Sequence, residues 1–140
     1  MIIAQYQNRP TNQTLNQKQR KNSGNNFFLR RIEENFRKIT VKNIGETFYE
    51  VLIFYLRNEA KKPPFEILLE DPASFYISLR RLLGVRGAKV YLKLIIKELM
   101  VEKNSQMGSA KINIRTGKII SMIRQGRKVE VRKVLVELLQ

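Results

Sequence analysis

Histidine and cysteine are both absent from the 140 residues, and acids are scarce, with 12 Asp and Glu against 27 Lys and Arg. Without an imidazole or a thiol there is no histidine general base, no cysteine nucleophile, no disulfide and no ordinary zinc site. Hydrolytic or phosphoryl chemistry would have to rest on carboxylates, Lys, Ser or Tyr. Long apolar runs are missing too. The longest is Val51 to Leu56, and Met1-Ile2-Ile3-Ala4 is too short for a secretory core, whereas a bilayer span takes ~20 residues. These absences predict a cytoplasmic protein with no transmembrane segment, and the lack of cysteine is compatible with a reducing compartment.

What is present is positive charge and a moderate apolar content. The formal net charge is +15, and 43% of residues are hydrophobic, enough for one compact core in a chain of this length. The charge is uneven. Residues 1–24 hold four basic and no acidic side chains, residues 25–104 hold 15 and 10, and residues 105–140 hold eight and two. Such basic ends point to a polyanionic partner. Nucleic acid is the commonest one, because Lys and Arg gain affinity for it by releasing condensed counterions. Anionic lipid or an acidic protein would exploit the same charge.

From Gln5 to Asn26 the chain is rich in Asn and Gln, with Arg9, Lys18, Arg20 and Lys21 unopposed by acid. Residues 1–26 are therefore expected to be a disordered basic tail, since they bury too little to offset their ordering entropy. Order is expected from Asn25 and Asn26, as caps of a helix carrying Phe28, Leu29, Ile32 and Phe36. A second helix fits Asn43 to Asn58, apolar almost all round and so expected to be the most buried element. Pro64 suits the first turn of a short helix through Leu69. Asp71-Pro72 starts the next, with Phe75, Tyr76, Leu79, Leu82 and Leu83, and Gly84 is its natural stop. After a Gly84–Gly87 connector, Ala88 to Glu102 reads as a strong helix with Val90, Tyr91, Leu94, Ile95, Leu99 and Met100 inward.

The predicted architecture is mainly α: a helical domain over residues 27–104 and a basic C-terminal extension over residues 105–140. Within the extension Ile112 and Ile114 alternate with polar residues, as do Val129 and Val131, around turn candidates Thr116-Gly117 and Gln125-Gly126, which favours a β-hairpin or meander before Arg132, with the Val134 to Leu139 end open to a helix. The competing pattern is two short helices, Lys118 to Arg124 and Val129 to Leu139, around Gly126, as in a helix-turn-helix unit.

One stretch carries a family likeness: Asp71-Pro72-Ala73-Ser74-Phe75, then Leu79, Leu82, Leu83 and Gly84, then Gly87-Ala88-Lys89-Val90, then Leu94, Ile95 and Lys97-Glu98-Leu99. It resembles the archaeal Nitrosopumilus output domain family, over approximately Asn43 to Glu102. The resemblance implies a small helical domain that delivers the output of signal transduction, an archaeal source and no catalytic residues to carry over.

Two sets of cations are candidates for contact with a polyanion. Lys89, Lys93 and Lys97 stand four apart with Arg86 one turn earlier, a stripe that either follows a phosphate backbone or is an ordinary solvated face. Arg115, Lys118, Arg124, Arg127 and Lys128 cluster around the C-terminal turns, where they could press on phosphates. Catalytic constellations are weak. Glu46 with Glu50 and Glu98 with Glu102 are isolated helix pairs beside basic neighbours. Glu59-Ala60-Lys61 lacks a preceding partner, because the sole aspartate, Asp71, comes afterwards. Thr116-Gly117-Lys118 has Ile112 where a phosphate loop needs Gly, and Ile119 where it needs Ser or Thr. The expectation is a non-enzymatic regulatory protein without cofactor or metal, binding nucleic acid through its basic ends. The alternative is a signal-transduction output or adaptor module that binds a signalling protein.

Overall fold

The computed structural model describes residues 11–107 and 114–140, with side chains from Asn26 onward. Six helices and no strand occur among the described residues: α1 (Thr11–Asn43), α2 (Glu46–Ala60), α3 (Pro64–Glu70), α4 (Pro72–Met107), α5 (Thr116–Arg124) and α6 (Lys128–Leu139). The chain divides into two units, Met1–Arg30 and Arg31–Gln140. Residues 1–10 lie outside the described residues, and α1 takes in residues 11–26 of the expected polar tail. Asn25 and Asn26 therefore sit inside a helix instead of capping one. Extending a formed helix adds one hydrogen bond for each residue fixed, so Gln, Lys and Arg can continue it.

Within the unit Arg31–Gln140, α1 buries Ile32, Phe36, Ile39 and Thr40, a helical spacing. Phe36 meets Phe65 of α3 with ring centroids 4.8 Å apart and planes tilted by 51°, and Phe65 also approaches Phe75 of α4. Tilted pairs of this kind suit the ring quadrupole better than face-to-face stacking. Arg31 donates to the carbonyl of Leu139, placing a cation at the C-terminal end of α6 where carbonyls lack partners. The helix starts read at Pro64 and Asp71-Pro72 are realised, whereas Asn43 ends α1 and α2 begins at Glu46. Pro64 occupies the first turn of α3. Asp71 accepts the Ser74 amide at 3.3 Å through Oδ1 and the Ser74 hydroxyl at 2.6 Å through Oδ2.

The centre of this unit is α4, which packs against α2, α3, α5 and α6. Gly84 breaks it into arms over residues 72–83 and 85–107, with φ 83° and ψ 171°, a conformation open essentially only to glycine. The expected connector thus shrinks to one residue. Gly87 then lies so close to the first arm that a Cβ there would come 2.9 Å from Leu83 Cβ.

Three expectations about burial and form are corrected. Despite its apolar circumference, α2 buries only Tyr49, Leu52 and Leu56, and leaves Val51 and Phe54 exposed. Hydrophobic residues all round a helix do not supply neighbours all round it, and α2 rests on α3 and α4 alone among the elements it meets most. Val90 faces outward at 66% exposure, while Ala88, Leu92 and Ile96 join Tyr91, Ile95 and Leu99 in the interior. The β-hairpin is replaced, from Thr116 on, by α5 and α6. Ile112 and Asn113 of its expected first strand lie outside the described residues. The alternation of Val129 with Val131 misled because Val129 is 74% exposed. The spacing that governs burial is Ile119 with Ile123 on α5, and Val131, Val134, Leu135 and Leu138 on α6.

Candidate anion-binding groove

Two consecutive helices build the site. The second arm of α4 contributes Arg86, Lys89, Val90 and Lys93, and α5 contributes Gly117, Ile120, Ser121 and Arg124, to a groove of about 550 Å³. Each set has the spacing i, i+3, i+4, i+7, so each helix turns one continuous face to the groove. The buried faces on the opposite sides of the same helices, Ala88, Tyr91, Leu92 and Ile95 on α4 and Ile119 and Ile123 on α5, fix that orientation. Gly117 and Ser121 are small, which keeps the space between the helices open. Ile120 is half-buried and Val90 exposed, giving the groove an apolar lining between cations. Long cationic side chains extend this lining with their methylene stems while their heads stay in water.

The electrostatics of the groove are one-sided. No acid lines it. Among the described residues the ion pairs are Arg37–Glu46, Lys38–Glu102, Lys62–Glu70, Arg81–Glu59 and Arg127–Glu130, and none involves Arg86, Lys89, Lys93 or Arg124. Four like charges around one apolar recess raise the local potential for an anion. The first turn of α5 carries no acid and no side-chain cap either.

The residues singled out from the sequence divide cleanly. Lys89, Lys93 and Arg124 line the groove together with Arg86. Lys97 is exposed further along α4, beyond the lining. Arg115 stands at the N-cap of α5, Lys118 is exposed in its first turn, and Lys128 opens α6, all three outside the groove. Arg127 is engaged by Glu130 at 3.2 Å, a partner three residues on. Arg127 and Lys128 follow a tight turn in which Gly126, at φ 73°, reverses the chain between α5 and α6. The apolar members Val90 and Ile120 were not anticipated as site residues. Val90 could have been, since it lies four after Arg86 and three before Lys93, on the cationic face.

Of the carboxylates considered for metal chemistry, Glu46 pairs with Arg37, Glu102 with Lys38 and Glu59 with Arg81. Among the described residues no group of three or more metal-ligating acids stands together, and no helix is long and apolar enough to cross a membrane. No family model, curated protein or solved structure matches the chain.

Proposed function

We propose that this protein is a non-enzymatic regulator that binds nucleic acid through the basic face of α4 and α5, with Lys97, Arg115, Lys118 and Lys128 as outlying phosphate contacts. The observation that carries this reading is the meeting of Arg86, Lys89 and Lys93 with Arg124 around a recess that no acid lines. Cations left without acidic partners release counterions when they neutralise phosphates, which is the main source of sequence-independent affinity.

Titration against duplex DNA, single strands and RNA over a range of salt tests it. If these four cations each neutralise one phosphate of a duplex, they contribute roughly −3.6 to the slope of log affinity against log salt. Replacing all four with Gln flattens the slope by that amount. An unchanged slope, or no binding to any nucleic acid at low salt, overturns the proposal.

A second reading is favoured by a different surface. Val51 and Phe54, one helical turn apart on α2, are 53% and 69% exposed, the sort of adjacent apolar pair that a protein partner covers. It accords with the output-domain resemblance of Asn43 to Glu102. Phe54→Ser would abolish association with such a partner and leave nucleic-acid titrations unchanged.

A further inference from the structure

Phosphate contact alone does not account for the shape of the α4–α5 groove. A phosphate backbone is met by cations on an open surface, whereas here the cations line a recess of about 550 Å³ together with the apolar Val90 and Ile120. That volume falls within the roughly 300–1,000 Å³ of small-molecule pockets. The polar inventory is as telling as the charge. A nucleobase needs donors and acceptors matched to its edge, or an aromatic face to stack on. No aromatic lines the groove, and its one hydroxyl, Ser121 Oγ, already accepts from Gln125 Nε2 at 2.9 Å. The interior thus offers hydrocarbon and a single hydroxyl donor, which suits a saturated chain better than a base edge, while the flanking cations can receive a negative charge.

We propose that the groove binds a small anionic amphiphile, a single aliphatic chain ending in a phosphate or carboxylate. The chain lies between Val90 and Ile120 along the facing helices, and the head group is held by cations drawn from Arg86, Lys89, Lys93 and Arg124. The open lengths of the two faces match. The seven steps from Arg86 to Lys93 and from Gly117 to Arg124 each span about 10 Å, at ~1.5 Å per residue, so a medium-length chain fits along the groove. The site shares its cations with the nucleic-acid surface but does not depend on that reading, because its affinity resides largely in the apolar half.

Calorimetric titration of the full chain with decyl phosphate, below its micelle concentration, tests the proposal, with octyl phosphate and inorganic phosphate as comparisons. Binding is expected at one site per chain. Decyl phosphate should bind roughly fifteenfold more tightly than octyl phosphate, from two further buried methylenes, and inorganic phosphate should be weaker than both. Val90→Gln, at an exposed position that leaves the core intact, should reduce affinity for decyl phosphate at least about threefold, and Ile120→Gln should do so more strongly. Arg124→Gln and Lys89→Gln should weaken it as well, and Lys97→Gln, outside the lining, should not. Affinity independent of chain length, or unaffected by both Val90→Gln and Ile120→Gln, overturns the site. So does recruitment to phosphatidylglycerol vesicles with no response to dispersed decyl phosphate, which would assign the face to a membrane surface. Loss of nucleic-acid binding in the same variants bears only on the previous proposal, so the two fail separately.

Discussion

Thr40 Oγ1 and Tyr91 OH lie 2.7 Å apart in the interior, joining α1 to the second arm of α4 by a buried hydroxyl pair. Each hydroxyl serves as the other's partner, and Thr40 is the one polar residue among the fully enclosed side chains of the described core. Removing one member strands the other. Tyr91→Phe is expected to lower stability by about 1–3 kcal/mol in urea unfolding, as is Thr40→Val, whereas the double variant should cost less than their sum. Strict additivity would show that the pair is not coupled.

Tyr49 presents the opposite case. Its ring is buried on α2, but its hydroxyl has no hydrogen-bond partner. Tyr49→Phe is therefore expected to be neutral or to stabilise by up to ~1 kcal/mol, since an unsatisfied buried hydroxyl costs free energy that a phenyl ring does not. A loss above ~1 kcal/mol in thermal melts at neutral pH would contradict this.

The same residue sets an alkaline limit. Burial, reinforced by the nearby Glu33 charge, pushes the Tyr49 pKa from 10.0 up to about 12. Between those values the folded protein keeps a proton that the unfolded chain releases, so stability falls as pH rises from 10 to about 12. Burial raises the Tyr91 pKa in the same direction. Melting temperatures measured across this window should fall less steeply for Tyr49→Phe than for the parent protein; parallel curves would remove Tyr49 as a cause.

Gly84→Ala addresses the break in α4. A Cβ meets no atom there, so the penalty is purely conformational, about 1–3 kcal/mol for φ 83° with ψ 171°. Gly87→Ala fails for a different reason, the 2.9 Å approach to Leu83 Cβ. Leu83→Ala cannot relieve that contact, because alanine retains the Cβ, whereas Leu83→Gly should recover part of the loss caused by Gly87→Ala. Equilibrium unfolding of the four single variants, and of Gly87→Ala combined with Leu83→Ala or with Leu83→Gly, checks both claims.

Ile95 and Val90 stand five residues apart on one helix with opposite fates. Ile95 is 0% exposed, and Ile95→Ala should cost about 2–4 kcal/mol. Val90→Ala should stay within about 0.5 kcal/mol, as surface substitutions do. Comparable losses at the two positions would mean that the inward face of α4 is differently placed.

Much of this architecture is legible residue by residue, because it depends on chemistry within one turn of chain. Pro64 and Asp71-Pro72 begin helices, since a fixed φ and a side-chain acceptor suit the first turn wherever it packs, and Gly84 breaks one because few other residues tolerate its backbone angles. Ile95 inward and Lys89, Lys93 and Lys97 outward follow from spacing alone. What spacing could not supply was the identity of the neighbour. Val51, Phe54 and Val90 look like core residues until it is known that no helix among the described residues covers them. The Val129 and Val131 alternation suggests a strand until Val134, Leu135 and Leu138 find α4 and α3 to bury against. The groove belongs wholly to this second category: Arg86, Lys89 and Lys93 become a site only when packing brings the Ile120 and Arg124 face of α5 beside them. At Pro64, Asp71-Pro72 and Gly84 local sequence determined where helices start and break, through backbone angles and a cap, and tertiary packing decided which of their faces meet, because burial is a property of pairs of surfaces.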